Sequence, residues 1–280
     1  MSYKHTLIFL LGILFFLSSC KSEFEKIRTN PDPAFLQEKA FEYYEAGDFQ
    51  KAQTLFELII NGLRGKVEAE KVYFNYAYSH YYLEKYVLAS YYFKNFVSTY
   101  GNSAYKEEAE FMSAYSHFKL SPIFRLDQSY SEKAIEGFQL FINTYPTSER
   151  VKEANRLIDE MRKKQEVKAL AEGQLYYDIK QYQSATRVFE NVLKDYPDSK
   201  DAEKVRYLIV KASYLLAENS VYEKQEERLR ETIEKADSFL EKYLESSYKE
   251  EIEKFKDNSK KSLKKFEDVR YKNKSSRVRP

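Results

Sequence analysis

Tryptophan is absent from this 280-residue chain, cysteine occurs once, and methionine and histidine occur three times each. Glycine and proline are scarce as well, at 7 and 6. Each shortage excludes something. One thiol cannot close an internal disulfide. One cysteine and three histidines offer no set at metal-ligating spacing, so no metal is expected. No glycine-rich phosphate loop and no nucleophile beside a base can be picked out, so neither a cofactor nor a catalytic residue is expected. Of the histidines, His5 lies in the leader, while His80 and His117 occupy equivalent positions where a packed aromatic belongs. Few helix breakers among 32% charged residues leave helix as the expected element throughout. Long apolar runs are missing too. The longest, Leu7 to Leu17, covers 11 residues, where a spanning helix needs roughly 20.

Aromatic rings, by contrast, are abundant, with 26 Tyr and 20 Phe. The net charge of +2 hides an asymmetry: residues 257–280 carry nine Lys/Arg against three Asp/Glu. The short apolar run follows Lys4 and His5, which fits a secretory signal. It ends in Leu17-Ser18-Ser19-Cys20, which resembles a bacterial lipobox with Cys20 as the lipidated residue. Several acyl chains, at about 0.8 kcal/mol per buried methylene, anchor a protein without a spanning helix. Residues 1–19 are therefore expected to be a lipoprotein signal peptide and 20–33 a lipidated tether. Residues 34–248 are expected to form the folded body, and 249–280 a C-terminal helix with a basic tail. Export from the cytoplasm makes nucleic acid a poor candidate partner.

The body is a repeat array. Aligning Ala52, Ala89, Ala134, Ala185 and Ala236 brings five segments into register, 37, 45, 51 and 51 residues apart, against about 34 for an ideal tetratricopeptide repeat. The first segment carries Ala40, Tyr43, Gly47-Asp48-Phe49, Ala52 and Phe56. The fourth carries Gly173, Tyr176, Gln181-Tyr182, Ala185, Phe189 and Pro197. Two antiparallel helices approach closely only where a small residue faces the partner, and an aromatic a turn away fills the space beside it. Insertions account for the excess spacing: a connection Ser121 to Gln128 in the third hairpin, a long helix from about Ser148 to Lys180 in the fourth, and a charged segment around 218–228 in the fifth. The fold class expected is all-α, a tetratricopeptide-repeat superhelical solenoid of about five helical hairpins with a C-terminal capping helix. The fifth repeat is the weakest, with Leu240 and Tyr243 in place of Phe and a small residue.

With Asp32-Pro33-Ala34, Glu42-Tyr43-Tyr44-Glu45-Ala46-Gly47-Asp48-Phe49, Leu120-Ser121-Pro122, Leu126-Asp127-Gln128 and Phe138-Gln139-Leu140-Phe141-Ile142, the chain over about residues 30–250 resembles the BamD family. These are lipoproteins of the outer-membrane β-barrel assembly machinery, and the aromatic runs look like the Bacteroidetes branch. The resemblance implies a non-catalytic scaffold. It would bind the POTRA domains of a BamA-like barrel insertase and unfolded outer-membrane proteins, at the periplasmic face of the outer membrane. A tetratricopeptide lipoprotein adaptor of cell-wall, pilus or secretion machinery is the alternative. At Tyr243-Leu244-Glu245 the chain departs from the family's Tyr-Pro-Asp, which puts the helix end there in doubt.

The first helix of each tetratricopeptide hairpin lines the inner groove. That register assigns Phe41, Tyr44, Phe74, Tyr78, Tyr81, Tyr82, Phe111, Tyr115 and Phe118 to a peptide-binding groove, followed by the more polar Gln174, Tyr177 and Asp178. Rings give large contact area at little entropic cost, and hydroxyls still pair with peptide groups. Ser121, Pro122, Arg125, Asp127 and Gln128 form a candidate docking loop. In the tail, Ile252, Phe255, Ser259, Leu263 and Phe266 make a helical stripe. Arg270, Lys272, Lys274, Arg277 and Arg279 then follow with no acid among them, as expected of a solvated tail or of a contact to anionic headgroups or an acidic partner.

Overall fold

A computed structural model describes residues 23–277. Every regular element among them is helical: α1 (Glu23–Arg28), α2 (Pro33–Glu45), α3 (Phe49–Ile59) running into a 3-10 turn (Ile60–Leu63), α4 (Glu68–Tyr82), α5 (Tyr86–Thr99), α6 (Lys106–Leu120), α7 (Ser129–Thr144), α8 (Val151–Asp178), α9 (Tyr182–Asp195), α10 (Ala202–Glu218), α11 (Tyr222–Lys242) and α12 (Lys249–Arg277). The helices pair as α2/α3, α4/α5, α6/α7 and α10/α11, with α12 packed on α10 and α11; the C-terminal part of α8 packs on α9 through Ala169, Leu170, Gly173 and Tyr176. The chain divides into two compact units, Met1–Met161 and Arg162–Pro280.

The turns inside three hairpins are alike. Gly47, Glu84 and Lys180 all have left-handed φ, of 79°, 57° and 63°. The next residue's N–H reaches back to close the helix: Asp48 to the Tyr43 carbonyl at 2.8 Å, Lys85 to His80 at 2.9 Å, Gln181 to Tyr176 at 2.8 Å. This left-handed closure satisfies carbonyls that the helix end leaves over. Only the first of the three positions is glycine. A side chain there costs about 1 kcal/mol, so Lys180→Gly is expected to stabilise the second unit by about 0.5–1 kcal/mol in urea unfolding. A loss of stability would show that the Lys180 side chain supports the turn.

The core follows the alanine register. Ala52, Ala89, Ala134, Ala185 and Ala236 have no accessible surface, and Phe56, Phe93, Phe138, Phe189 and Phe239 are at most 1% exposed. Burying each such ring stabilises by roughly 1.5–3 kcal/mol. In the fifth repeat the ring is Phe239, one position before the Leu240 expected from the register; Leu240 packs at the edge of that cluster. A ring three residues from the alanine reaches the hole as well as one four residues away, because both lie on the same helix face.

A second periodic device sits between hairpins. Ser103, Ser148, Ser199 and Ser246 each stand three residues after a tyrosine that closes a helix, and each donates to a glutamate on the first helix of the preceding hairpin. The pairs are Ser103–Glu70, Ser148–Glu107 at 2.5 Å, Ser199–Glu166, and Ser246–Glu203 at 2.6 Å. Each serine oxygen also accepts the N–H two residues on. The seam at Tyr243 is therefore closed like the others. Leu244-Glu245 in place of Pro-Asp leaves the helix end where it belongs, at Lys242, because the serine, not the proline, holds the junction.

Helix α12 covers the last hairpin. Ile252 is buried with Tyr207, Val210 and Phe239, Phe255 stacks on Tyr214 at 4.8 Å, and Leu263 and Phe266 close over Ala217 and Leu229. The basic residues up to Arg277 belong to this helix. Cys20, the expected signal peptide over residues 1–19, Lys21 and Arg279 lie outside the described residues.

Candidate functional site

In the first unit, the first helices of three successive hairpins place their rings in contact. Phe41 and Tyr44 of α2 both meet the buried Phe56, with centroids at 5.2 and 6.3 Å. Tyr44 lies 6.2 Å from Tyr82 of α4, and Tyr82 stacks on Phe49 at 4.3 Å and on Tyr78 at 5.7 Å. Tyr81 continues the series to Tyr115 of α6 at 6.2 Å, and Tyr115 to Phe118 at 5.6 Å. The result is an unbroken band of rings across α2, α4 and α6. Six of its members, Phe41, Tyr44, Tyr78, Tyr81, Tyr115 and Phe118, are half-buried, and Tyr82 is 47% exposed. Near Phe41, a cavity of about 350 Å³ opens between Pro33, Gln37, Leu63 and Lys66.

The band carries polar handles. The Tyr78 hydroxyl donates to Glu108, which Arg150 also holds at 2.5 Å. The guanidinium lies over the Phe111 ring, 4.5 Å from its centroid, and the Lys71 ammonium stands 4.8 Å from that of Phe41. Burial raises the Tyr78 and Tyr44 hydroxyls well above the ordinary tyrosine value, and at Tyr78 the hydrogen bond to Glu108 adds to it. Tyr81 is pushed up to about 12, first by burial and then by its tyrosine neighbours. The hydroxyls therefore stay protonated donors at any physiological pH. Such a surface gives dispersion contact along its length and a few oriented hydrogen bonds, which suits an extended peptide.

Two assigned groove residues are not on this surface. Phe74 and Phe111 are 9% and 1% exposed: Phe74 packs against Phe93 and Phe96, Phe111 against Phe138 and Phe141. They are core, because their positions face the second helix of their own hairpin. The repeat register missed Phe49 and Tyr86, which extend the band at 4.3 Å from Tyr82 and 5.5 Å from Tyr81. It also missed Arg150, whose role depends on a partner 42 residues away.

The candidate docking loop needs a similar correction. Arg125 and Asp127 are exposed, Ser121 and Pro122 half-buried, but Gln128 is only 5% exposed. Its amide donates to the Ile123 and Leu126 carbonyls at 3.0 and 3.1 Å and accepts from Ser131 at 2.8 Å, while Asp127 accepts the Ser129 N–H at 2.9 Å. Gln128 is thus a brace, and what the braced loop offers is apolar: Ile123 at 64% and Leu126 at 57% exposure.

Residues 30–204 and 165–268 match the model of the YfiO family, described as outer membrane lipoprotein. The chain belongs to this family. A further relative, from Aquifex aeolicus (strain VF5), is 27% identical over 246 residues, covering 87% of this chain and 79% of that one, and is named putative outer membrane protein assembly factor BamD. The BamD resemblance read from the sequence is borne out. Among solved structures, the yeast Sti1 TPR2AB domain in its pHSP90 complex aligns at 14% identity, over 81% of this chain and 98% of its own, with a TM-score of 0.38. The TPR-like repeats of a Podosopora anserina putative kinesin light chain align at 12% identity, over 81% and 100%, with a TM-score of 0.32.

In this YfiO-family chain the second unit, described by itself, is more polar at the equivalent repeat positions. Gln174 donates to Asp178 at 2.8 Å, and Tyr177 meets only Tyr182, at 5.7 Å, among the described rings. The two histidines differ. His117 is half-buried and hydrogen-bonded to Ser90 at 2.8 Å, whereas His80 is 2% exposed between Tyr76 and Tyr92, with no partner for either ring nitrogen among the described residues. Burial, aided by Lys85, lowers His80 to about 4 from 6.5. An unfolded chain takes up this proton first as pH falls, so the contribution is complete above about pH 6.5 and is lost progressively down to about 4. Acidification across that window is expected to cost about 2–3 kcal/mol through this residue. Chemical denaturation at both ends of the window, repeated with His80→Phe, isolates the effect; equal pH dependence in both proteins would disprove it.

Proposed function

We propose that this outer-membrane lipoprotein is an assembly factor for outer-membrane β-barrel proteins, acting as a non-catalytic scaffold that displays unfolded barrel precursors to a BamA-like insertase. The observation that carries the reading is the unbroken ring band from Phe41 to Phe118. Barrel strands alternate apolar and polar side chains and are flanked by aromatic girdles. An extended strand of that kind laid along the band meets rings on its apolar side and the Tyr78–Glu108–Arg150 group with its peptide or polar side. The name of the Aquifex aeolicus relative points the same way.

In this reading Cys20 is the acylated anchor, the helical body faces the periplasm, and the segment expected as a free tether is held to that body from α1 on, where Phe24 packs on Tyr43 at 5.7 Å. The braced loop offers Ile123 and Leu126 to a POTRA domain of the insertase. The mechanism is binding and handover, with no bond made or broken. The test is purification of the chain from its native envelope after incorporating a photo-crosslinker at Tyr82 in one sample and at Leu126 in another. Recovery of barrel precursors from the first and a POTRA-containing insertase from the second is the expected result. Enrichment of wall-synthesis, pilus or secretion proteins in place of both would transfer the chain to an adaptor role in that machinery.

A further inference from the structure

Helix α12 is built in two parts. Its first half is a covering helix tied to its neighbours by ion pairs: Lys256 with Asp237 of α11, and Glu251 with Lys211 of α10 at 3.2 Å. From Lys260 on the balance changes. Lys260, Lys261, Lys264 and Lys265 are all exposed, and none pairs with a carboxylate among the described residues. At 100° per residue Lys261, Lys264 and Lys265 lie on the face away from the buried stripe of Ser259 and Leu263, and Lys260 lies on its flank. In sequence, the stripe's spacing next reaches Arg270, Lys274 and Arg277, so the apolar pattern gives way to a basic one.

Beside this stretch stands an apolar corner. Tyr222, 60% exposed, rests on the Phe266 ring at 4.8 Å, and Val221 is 63% exposed. Nothing among the described residues covers either of them further. Exposed lysines next to an exposed tyrosine and aliphatic side chain combine the two contributions that hold a helix at a bilayer surface. The cations are drawn to anionic headgroups, and the amphipathic ring settles at their level. An acidic protein would use the charges but leave the corner bare. The chain belongs to a family of outer membrane lipoproteins, so a bilayer surface is at hand.

We infer that the C-terminal half of α12, with Val221 and Tyr222, is a second membrane contact of this protein that binds anionic lipid headgroups independently of any acyl anchor. It does not depend on the ring band or its ligands.

The experiment uses residues 21–280, which contain every described helix and no Cys20. Co-sedimentation is measured with vesicles of phosphatidylglycerol and phosphatidylcholine and with vesicles of phosphatidylcholine alone. Binding to the anionic vesicles only, weakening as sodium chloride is raised, is expected. Each lysine near the surface contributes about fivefold, so Lys260→Gln, Lys261→Gln, Lys264→Gln and Lys265→Gln combined should lower the partition coefficient by at least about a hundredfold. Tyr222→Ser with Val221→Ser should lower it severalfold at unchanged salt dependence. Thermal melting of the exposed-site variants checks that the fold is kept. No binding, equal binding to both vesicle types, or release by polyglutamate from a site insensitive to Tyr222→Ser would each overturn the inference, the last in favour of an acidic protein partner.

Discussion

Gly173→Val is expected to destabilise the second unit by about 3 kcal/mol and to lower its melting temperature by roughly 10 °C. A Cβ placed on Gly173 would lie 2.5 Å from Phe189 Cε1 and 2.7 Å from Cδ1. That ring cannot step aside, since it is 1% exposed among Ala185, Val192, Val205 and Ile209. The two helices must therefore separate or the ring must leave its well. Gly101→Ala is the control. Its Cβ would meet nothing within 4 Å, so it should be neutral or slightly stabilising through the unfolded state. Scanning calorimetry of both variants decides it. A Gly173→Val protein that melts with the unsubstituted chain would mean that the close approach of α8 and α9 does not limit stability.

Tyr82→Ala with Tyr115→Ala is expected to weaken binding of an extended aromatic peptide by at least about a hundredfold, given roughly 2 kcal/mol for each central aromatic anchor. The pair is chosen because Tyr82 joins α2 to α4, and Tyr115 joins α4 to α6; removing both interrupts the band twice. Tyr82 is half exposed and Tyr115 half-buried, so the cost in stability should stay near 1–2 kcal/mol. The probe is a fluorescent synthetic peptide of alternating aromatic and polar residues ending in phenylalanine, titrated by anisotropy. Tyr82→Phe with Tyr115→Phe should retain most of the affinity, separating ring from hydroxyl. Leu175→Ala, at an exposed residue of the second unit, should change nothing. An affinity within twofold of the unsubstituted chain in the Ala/Ala variant, with helicity intact, would remove the groove from the mechanism.

The hairpins were legible in the sequence because their cause is local. A small residue, a ring one turn away and a left-handed turn recur at fixed offsets, and they act through contacts within one hairpin. The long α8, expected from about Ser148 to Lys180 and observed over Val151–Asp178, belongs to the same class, as does the Ser121–Gln128 connection. Which rings face outward was only partly legible. Phe74 and Tyr78 sit on the same helix four residues apart, yet one is sealed and the other half open. The rotation of each helix against its partner decides that, and the partner's side chains set the rotation.

What tertiary structure alone decided are the pairings across hairpins. Tyr78 finds Glu108 and Arg150, Gln128 turns inward, and four serines join four glutamates 33 to 43 residues before them. Residue type and short-range spacing specify where each helix begins, turns and buries its stripe. They carry no information about which polar atom, on another hairpin, will lie within 3 Å once the stripes have packed.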